Sequence, residues 1–252
     1  MIVVNNASKK YGNKTVIDQV SLQLEKGRLI AFIGSNGAGK STLLSMISRL
    51  LSITDGEILI DGMALKQWNP EELAKRISIL RQSNHSNLRL TIRELVSFGR
   101  YPHSHGRLTE EDHVYIAKAL HYMGITDIQH QFLDQLSGGQ RQMAYIAMVI
   151  AQNTDYVFLD EPLNNLDMKH SVQIMRILRN LVDELGKTVI IVIHDINFVS
   201  CYADYVVALK EGKLVKSGPA ADIITPETLH SIYDMQIDIK EIDGNSICVY
   251  YT

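Results

Sequence analysis

A glycine-rich segment at residues 34–41, Gly-Ser-Asn-Gly-Ala-Gly-Lys-Ser, limits the folds open to this sequence more than any other part of it. It matches the pattern G-x-x-x-x-G-K-[ST], in which the glycines let backbone N–H groups turn inward around phosphate oxygens. An apolar run at residues 29–33 comes directly before it, and apolar residues at helical spacing over residues 42–51 follow it. Strand, glycine loop and helix in this order predict an α/β core with a mostly parallel sheet and flanking helices.

Two side chains of this loop carry chemistry of their own. The helix that begins near Lys40 presents the positive end of its dipole, which favours anions. Lys40 can reach the β- and γ-phosphates of a nucleotide, and the Ser41 hydroxyl can ligate magnesium. A glycine turn that binds nothing is the alternative, and the position between a strand and a helix argues against it. The residues expected to contact the nucleotide are Ser35, Asn36, Gly37, Ala38, Gly39, Lys40, Ser41 and Thr42.

Polar residues at the ends of predicted strands form a second set of candidates. Asp160 and Glu161 end an apolar strand, which is where open α/β sheets place ligand groups. Asp160 is suited to hold magnesium and Glu161 to polarise an attacking water, although a solvated turn would use the same acids. His194 and Gln82 also follow apolar strands. Taken alone, a histidine there is more often a capping residue, and the glutamine carries no signal by itself.

The amino-acid composition limits the classes of protein to which this chain can belong. With 46% hydrophobic and 21% charged residues, the 252-residue chain can bury a sizeable core. A net charge of -3 gives no basic signature for nucleic acid, so we expect no nucleic-acid partner. The two cysteines, Cys201 and Cys248, lack metal-ligand or redox spacing, which predicts free thiols in a reducing compartment. No secretory signal and no apolar run near the roughly 20 residues of a membrane span is visible, so a membrane part would belong to another chain.

The hydrophobic periodicity predicts one domain over residues 1–252 with distinct parts. Three strands are expected near the N-terminus, at residues 2–4, 17–24 and 29–33. Residues 83–152 are expected to form a helical subdomain, and residues 219–252 a C-terminal extension with a short helix and a hairpin. Helix starts in the helical part carry capping boxes, Thr91 with Glu94 and Thr109 with Asp112.

A second specific string, Leu-Ser-Gly-Gly-Gln at residues 136–140, precedes another predicted helix. Ser137 can cap the N-terminus of that helix, and Gly138 and Gly139 let backbone N–H groups approach a phosphate. The glycine loop, the strand-end residues and this string follow one another in the order found in the nucleotide-binding subunits of ABC transporters. The chain from residue 3 to about residue 218 resembles those subunits. The resemblance implies the ABC ATPase fold, with an N-terminal antiparallel β subdomain beside the α/β core and a helical subdomain. It also implies ATP as the substrate and Mg²⁺ as the metal cofactor.

The resemblance also implies residue roles. Residues 34–41 would be the Walker A loop, residues 136–140 the signature and residues 156–160 the Walker B strand. Catalytic roles would fall to Glu161 as base, His194 as the switch histidine and Gln82 as the Q-loop glutamine. Residues 164–167 would be the D-loop, with Asp167 as its site residue. The other implied positions are Tyr11 against adenine, Ser41, Gln82 and Asp160 on Mg²⁺, and Ser137, Gly138, Gly139 and Gln140 on the ATP of a partner chain.

Two positions depart from the usual family pattern. Ser35 stands where proline is usual, and Leu-Asn-Asn at residues 163–165 replaces Thr-Ser-Ala. Neither change removes a phosphate or metal ligand. The second could alter communication between ATP sites.

The family's architecture implies partners. Its cassettes pair head to tail, so that the signature of one chain closes over ATP held by the other. We therefore expect an ATP-dependent dimer with a second copy or a similar subunit, bound to membrane permease subunits and served indirectly by a substrate-binding protein. Residues 84–102 would receive the permease's coupling helix. The expected location is the cytoplasmic face of the cell membrane, as a peripheral protein.

Segments at residues 91–102, 146–152, 166–170 and 194–198 are most similar to ATPases of bacterial importers for ferric siderophores, haem and cobalamin. The ferric-siderophore branch is the most similar, which implies a translocase ATPase that energises import of an iron(III)–siderophore complex. Import of haem or cobalamin, and more distantly a soluble ATPase of iron–sulfur cluster assembly, are the alternatives. The presence of Lys40, Asp160, Glu161 and His194 argues against a catalytically dead module.

Overall fold

The computed structural model describes residues 1–82 and 89–250. Its strands are β1 (Ile2–Tyr11), β2 (Lys14–Leu24), β3 (Leu29–Ile33), β4 (Asp55–Ile60), β5 (Met63–Ala64), β6 (Ile77–Leu80), β7 (Tyr156–Asp160), β8 (Thr188–Val192), β9 (Tyr205–Lys210), β10 (Lys213–Pro219), β11 (Asp238–Ile242) and β12 (Asn245–Val249). Its helices are α1 (Lys40–Ile47), α2 (Pro70–Arg76), α3 (Ile92–Phe98), α4 (Tyr101–Ser104), α5 (Glu110–Tyr122), α6 (Gly138–Ala151), α7 (Met168–Asp183), α8 (Ile196–Tyr202), α9 (Ala220–Ile223) and α10 (Pro226–Tyr233). Short 3-10 helices lie at Leu65–Gln67, Thr126–Ile128 and Leu133–Gln135.

The chain separates into two compact units. The first contains Met1–Trp68 and Thr188–Thr252, and the second contains Asn69–Lys187. In residues 1–82 and 89–250, every helix is too short or too polar to serve as a membrane span.

An antiparallel sheet with strand order β2-β1-β4-β5 lies in the first unit. Its central strand places Val4 opposite Leu22 on one side and opposite Ile58 on the other. All three side chains are buried, so this sheet has a core-facing side. The antiparallel β subdomain expected from the sequence is confirmed.

The first unit also contains parallel strands, with β3 lying between β8 and β9 and β10 pairing antiparallel to β9. Every residue of β3 and β8 is buried, as expected for parallel strands covered on both faces. Ala31 pairs with Ile191, so the carboxyl ends of β3 and β8 lie side by side. The glycine loop and His194 therefore leave the sheet at the same edge, where α/β folds bind ligands.

Helix α1 is shorter than the sequence predicts. It begins at Lys40 as expected but ends at Ile47, so the prediction of helix as far as residue 51 was wrong. Arg49 has a φ of 62° and its N–H bonds to the Met46 carbonyl, which ends the helix in a left-handed turn. Helices usually signal such an end with glycine, and here the apolar pattern continues through Leu50 without one.

In the second unit, β6 pairs parallel to β7, and helices α3, α5 and α6 pack against one another. Both predicted capping boxes form at their helix starts, with Thr91 and Glu94 on α3 and Thr109 and Asp112 on α5. Part of the predicted helical subdomain and of the expected coupling-helix site falls on residues 83–88, which lie outside the described residues.

A buried ion pair joins the helices of this unit. Arg100 Nε donates to Asp112 Oδ1 at 2.8 Å, and Arg100 also donates to the Ala151 carbonyl at the end of α6. Burial raises the pKa of the Asp112 carboxyl, but hydrogen bonds from Thr109 and Arg100 outweigh burial and hold that pKa below its usual value. The start of α5 is thus fixed to the end of α6 through a charge.

The C-terminal part of the first unit contains α10, which starts after its N-cap Thr225, and the β11–β12 hairpin that turns between Ile242 and Asn245. The Asn197 side chain of α8 donates to the Cys248 carbonyl and accepts from the Cys248 N–H, so the hairpin is fastened to α8. Cys248 is buried and Cys201 exposed, and both thiols are free as predicted.

Candidate functional site

The glycine loop has a backbone that only glycine can follow at its two ends. Gly34 has a φ of 145°, and a Cβ there would lie 2.2 Å from the Leu209 carbonyl oxygen. Gly39 has a φ of 98°, and a Cβ there would lie 2.6 Å from Ile17 Cδ1. The loop is therefore packed closely against β2 and β9, with Ser35 and the two residues that follow it exposed.

A positive charge lies inside this loop. Lys40 is 5% exposed, and its Nζ donates to the Gly34 carbonyl at 2.8 Å and to the Ser35 carbonyl at 3.0 Å. No side chain caps the start of α1, where Gly39 is the N-cap. A buried ammonium beside the positive end of a helix makes a site for an anion.

Tyr11 lies at the end of β1 and is 54% exposed. The Lys9 ammonium lies 5.2 Å from the centroid of this ring and donates to the Ser52 carbonyl at 2.6 Å. One face of the ring is thus held next to a cation. The exposed ring offers a surface on which a flat base can stack.

His194 is exposed just beyond the end of β8. The helix that follows is capped by Asp195, whose carboxylate accepts from the N–H groups of Asn197 and Phe198. The N-cap of α8 is therefore the aspartate that follows the histidine. The ring lies at the same edge of the sheet as the glycine loop.

In the second unit, the sequence-predicted acids lie at the carboxyl end of β7. Asp160 is the last residue of the strand and is 8% exposed. The next residue, Glu161, has a φ of 52°. Gln82 Nε2 donates to Glu161 Oε2 at 2.5 Å, so the structure brings together two residues that are far apart in the sequence.

Asn164 also donates to Glu161 Oε2 through its side-chain amide. Sequence reasoning included this residue only as part of the D-loop. The sequence feature that could have indicated this contact is the unusual Leu-Asn-Asn string. Asn side chains in turns often bond to groups a few residues away, and Asn164 lies three residues after Glu161. Two amides thus fix one carboxylate oxygen of Glu161.

The Leu-Ser-Gly-Gly-Gln string starts helix α6. Ser137 is the N-cap and forms a capping box with Gln140, in which each backbone N–H bonds to the other side chain. Gly138 is exposed, whereas Gly139 is buried against His170 of α7. A Cβ on Gly139 would lie 2.8 Å from the His170 ring, so the second glycine permits the close approach.

Asp167 caps α7, and its carboxylate accepts from the His170 backbone N–H and ring. These hydrogen bonds, the backbone one foremost, hold the pKa of the Asp167 carboxyl below its usual value. The residue therefore keeps its negative charge at neutral pH.

Comparison with known proteins identifies the family. The sequence model of the ABC transporter family matches residues 17–164. The chain belongs to the ABC transporter family. It is 60% identical, over the full length of both chains, to the petrobactin import ATP-binding protein YclP of Bacillus subtilis (strain 168). It is 40% identical over 228 residues to the ferric enterobactin transport ATP-binding protein FepC of Escherichia coli (strain K12), covering 90% of this chain and 84% of that protein.

A solved structure supports the same conclusion for the fold of this ABC transporter protein. A dimeric ATP-binding cassette in a post-hydrolysis state, bound to ADP and phosphate, is 30% identical and matches with a TM-score of 0.77 over 87% of this chain and 99% of that one. The predicted ABC ATPase fold is therefore confirmed. The protein binds ATP and is an ATPase coupled to transport.

Proposed function

We propose that this ABC transporter ATPase energises import of an iron(III)–siderophore complex through a membrane permease. The observation that carries the proposal is the 60% identity over the entire chain to a petrobactin import ATP-binding protein. The enterobactin relative points to the same class of cargo. Haem or cobalamin import and iron–sulfur cluster assembly have no comparable support from these relatives.

ATP would bind to the first unit through its base and its phosphates. Tyr11 would stack on the adenine ring. The backbone of residues 35–42 would surround the phosphates, and Lys40 would exchange its bonds to the loop carbonyls for bonds to β- and γ-phosphate oxygens. The burial of Lys40 supports this role, because a desolvated ammonium attracts phosphate more strongly than an exposed one does.

Magnesium would be held by Ser41, Gln82 and Asp160. Hydroxyl, amide and carboxylate oxygens suit Mg²⁺, which commonly takes one or two carboxylates and fills its other positions with phosphate oxygens and water. When bound, the ion would neutralise charge on the phosphates. Oxygen atoms of phosphate and water would complete the ligands of the ion. Within the described residues there is no cluster of three or more His, Cys, Asp or Glu side chains that could hold a metal.

Hydrolysis would use Glu161 as the base. A water oxygen would bond to the γ-phosphorus while the bond to the bridging oxygen breaks, and Glu161 would accept the water's proton as ADP and phosphate form. Gln82 and Asn164 would orient the carboxylate, which is supported by their hydrogen bonds to Oε2. His194 would contact the γ-phosphate from the edge of the sheet.

Two copies would complete the ATP sites. Ser137, Gly138, Gly139 and Gln140 would contact ATP held by the partner copy, and Asp167 would lie in the D-loop of the same interface. The dimeric relative with ADP and phosphate supports this assembly. The exposed start of α6 supports it as well, because a helix N-terminus with an accessible glycine can approach a phosphate.

The permease would bind the helical part of the second unit. Phe98 is 50% exposed and Tyr101 is 60% exposed, and both lie in the segment expected to receive a coupling helix. Large exposed aromatic side chains are enriched at protein interfaces. The protein would then work at the cytoplasmic face of the membrane as a peripheral subunit, with a substrate-binding protein as an indirect partner.

Uptake of radioactive iron presented as petrobactin, enterobactin or haem tests this function. A strain that lacks this chain is complemented with the wild type, with Lys40→Ala, or with the exposed-lysine control Lys213→Ala. We expect the wild type and the control to restore uptake of a ferric siderophore, and Lys40→Ala to give none. Restored haem uptake without siderophore uptake would contradict the proposed cargo.

A further inference from the structure

We infer that Tyr233 in the C-terminal extension is a positioning residue of the ATP site, because its hydroxyl holds the first peptide of the phosphate loop. This inference rests on the proposed binding of ATP phosphates by that loop. It assigns a task in ATP binding to residues that follow the last family motif.

The contact joins residues at opposite ends of the chain. The Gly34 N–H donates to the Tyr233 hydroxyl oxygen at 3.3 Å, across 199 positions of sequence. The Gly34 carbonyl accepts from Lys40 Nζ at 2.8 Å. The N–H and the carbonyl of the same glycine are therefore each bonded to a side chain, Tyr233 and Lys40.

The position of Tyr233 is fixed by helix α10, of which it is the last residue. Leu229 and Ile232 are fully buried and anchor the helix. Lys210 Nζ, at the end of β9, donates to the Ser231 carbonyl at 2.9 Å and to Asp234 Oδ1 at 2.6 Å. A lysine at a helix C-terminus also complements the helix dipole.

The same strand end touches the loop directly. Lys210 follows Leu209, whose carbonyl oxygen is the atom that a Cβ on Gly34 would strike. At the end of β9, Leu209 thus contacts the loop and Lys210 bonds to the end of α10. Tyr233 is therefore presented to Gly34 by a helix whose end is bonded to the same strand that contacts the loop. Supporting contacts of this kind make a positioning residue effective.

The protonation state of the hydroxyl suits this task. Burial raises the pKa of Tyr233 to about 12, so the group stays neutral at the pH of the cell. A neutral oxygen can accept from the Gly34 N–H without repelling phosphate. A phenolate in the same place would oppose binding of the anion.

The contact should affect ATP affinity more than turnover. A loop that already has its bound conformation loses less conformational freedom when ATP binds. Without the hydroxyl, the Gly34 peptide has more conformational freedom in the absence of ATP. Part of the binding free energy of ATP must then be used to order the loop. Tyr233 does not contact the reacting atoms, so the rate of the bound complex should change little.

The test compares Tyr233→Phe with the wild type and with Tyr205→Phe. The control removes a hydroxyl that donates to Ser217 at the same 3.3 Å but lies outside the loop. We expect Tyr233→Phe to raise both the Kd and the KM for ATP about two- to tenfold, the range that one hydrogen bond contributes. We expect kcat to stay within about twofold and the melting temperature to match that of the control. Unchanged ATP affinity, or a loss that the control shows equally, would overturn the inference.

A double-mutant cycle with Lys210→Met separates positioning from general stability. Lys210→Met alone should weaken ATP binding in the same direction, because α10 loses its fastening to β9. In the Tyr233→Phe background it should weaken binding no further. Fully additive effects would contradict the inference. A wild type that binds no ATP would instead refute the proposed function, so the two failures are distinguishable.

Discussion

Glu161 has a backbone conformation that residues other than glycine seldom adopt, with a φ of 52°. Such a conformation costs on the order of 1–3 kcal/mol and persists only where neighbours enforce it. Here the neighbours are Gln82 and Asn164, whose amides both donate to Oε2 of the carboxylate. Strained backbone conformations are common at functional sites, which agrees with the proposed role of Glu161 as base.

Replacing Asn164 tests whether this orientation matters. Asn164→Ala removes one of two amide donors to a carboxylate, an interaction of about 1.5–3 kcal/mol, so we expect kcat to fall roughly 10- to 100-fold. The KM for ATP should change little, because the residue lies in none of the proposed phosphate contacts. Steady-state ATP hydrolysis measures both constants. Asn180→Ala, on the exposed face of α7, is the matched control and should behave as the wild type. A wild-type kcat for Asn164→Ala would remove Asn164 from the account.

Several helices begin with capping hydrogen bonds that the residue pattern of the sequence predicts. Thr91 and Thr109 each form a capping box with the acid three residues later, as predicted. Ser137 forms a capping box with the amide of Gln140 at the signature helix. The partners of each box are close in sequence, so local chemistry decides the structure. The box on α5 differs from the others because its acid also carries the buried bond to Arg100.

Asp112→Asn should destabilise the protein strongly. The change leaves the Arg100 guanidinium buried without its counter-charge, which costs about 3–5 kcal/mol at neutral pH. Chemical denaturation measures this loss. Glu94→Gln changes the acid of an exposed capping box and should cost much less. Equal losses for the two variants would contradict a special role for the buried pair.

The pH dependence of that loss has a definite sign. The pKa of Asp112 is below its usual value in the folded protein, so its contribution is complete above the unfolded value near 3.9 and disappears as the pH falls through the folded value. The difference in free energy of unfolding between wild type and Asp112→Asn should therefore be constant near neutral pH and narrow below about pH 4. A difference that widens in acid would contradict this assignment.

Contacts between distant residues could not be predicted in the same way. The strands, the glycine loop and the helix caps follow from local patterns, which predicted the fold class and the phosphate-loop residues. Tyr11, Gln82 and Asp167 were predicted only through the resemblance to the family. The end of α1 did not follow, because Arg49 adopts a left-handed turn without glycine. The bond between Gly34 and Tyr233 did not follow either, since nothing near residue 233 signals a phosphate loop 199 positions away. Such pairs are created by tertiary packing alone.

Each copy of the chain contains one phosphate loop and one signature string. The family pairs these motifs between copies, and a relative with 30% identity is a dimer with ADP and phosphate bound. ATP would then lie between the copies, and its hydrolysis would release them. A permease bound to both copies would respond to this cycle of closing and opening.

The oligomeric state of Glu161→Gln with and without ATP, measured by light scattering on a sizing column alongside ATP turnover, tests this account most directly. The glutamine keeps the shape of the side chain but cannot accept a proton from water. We predict a monomer without ATP, a stable dimer with ATP and almost no turnover. Undiminished hydrolysis, or a monomer that persists in saturating ATP, would contradict the account.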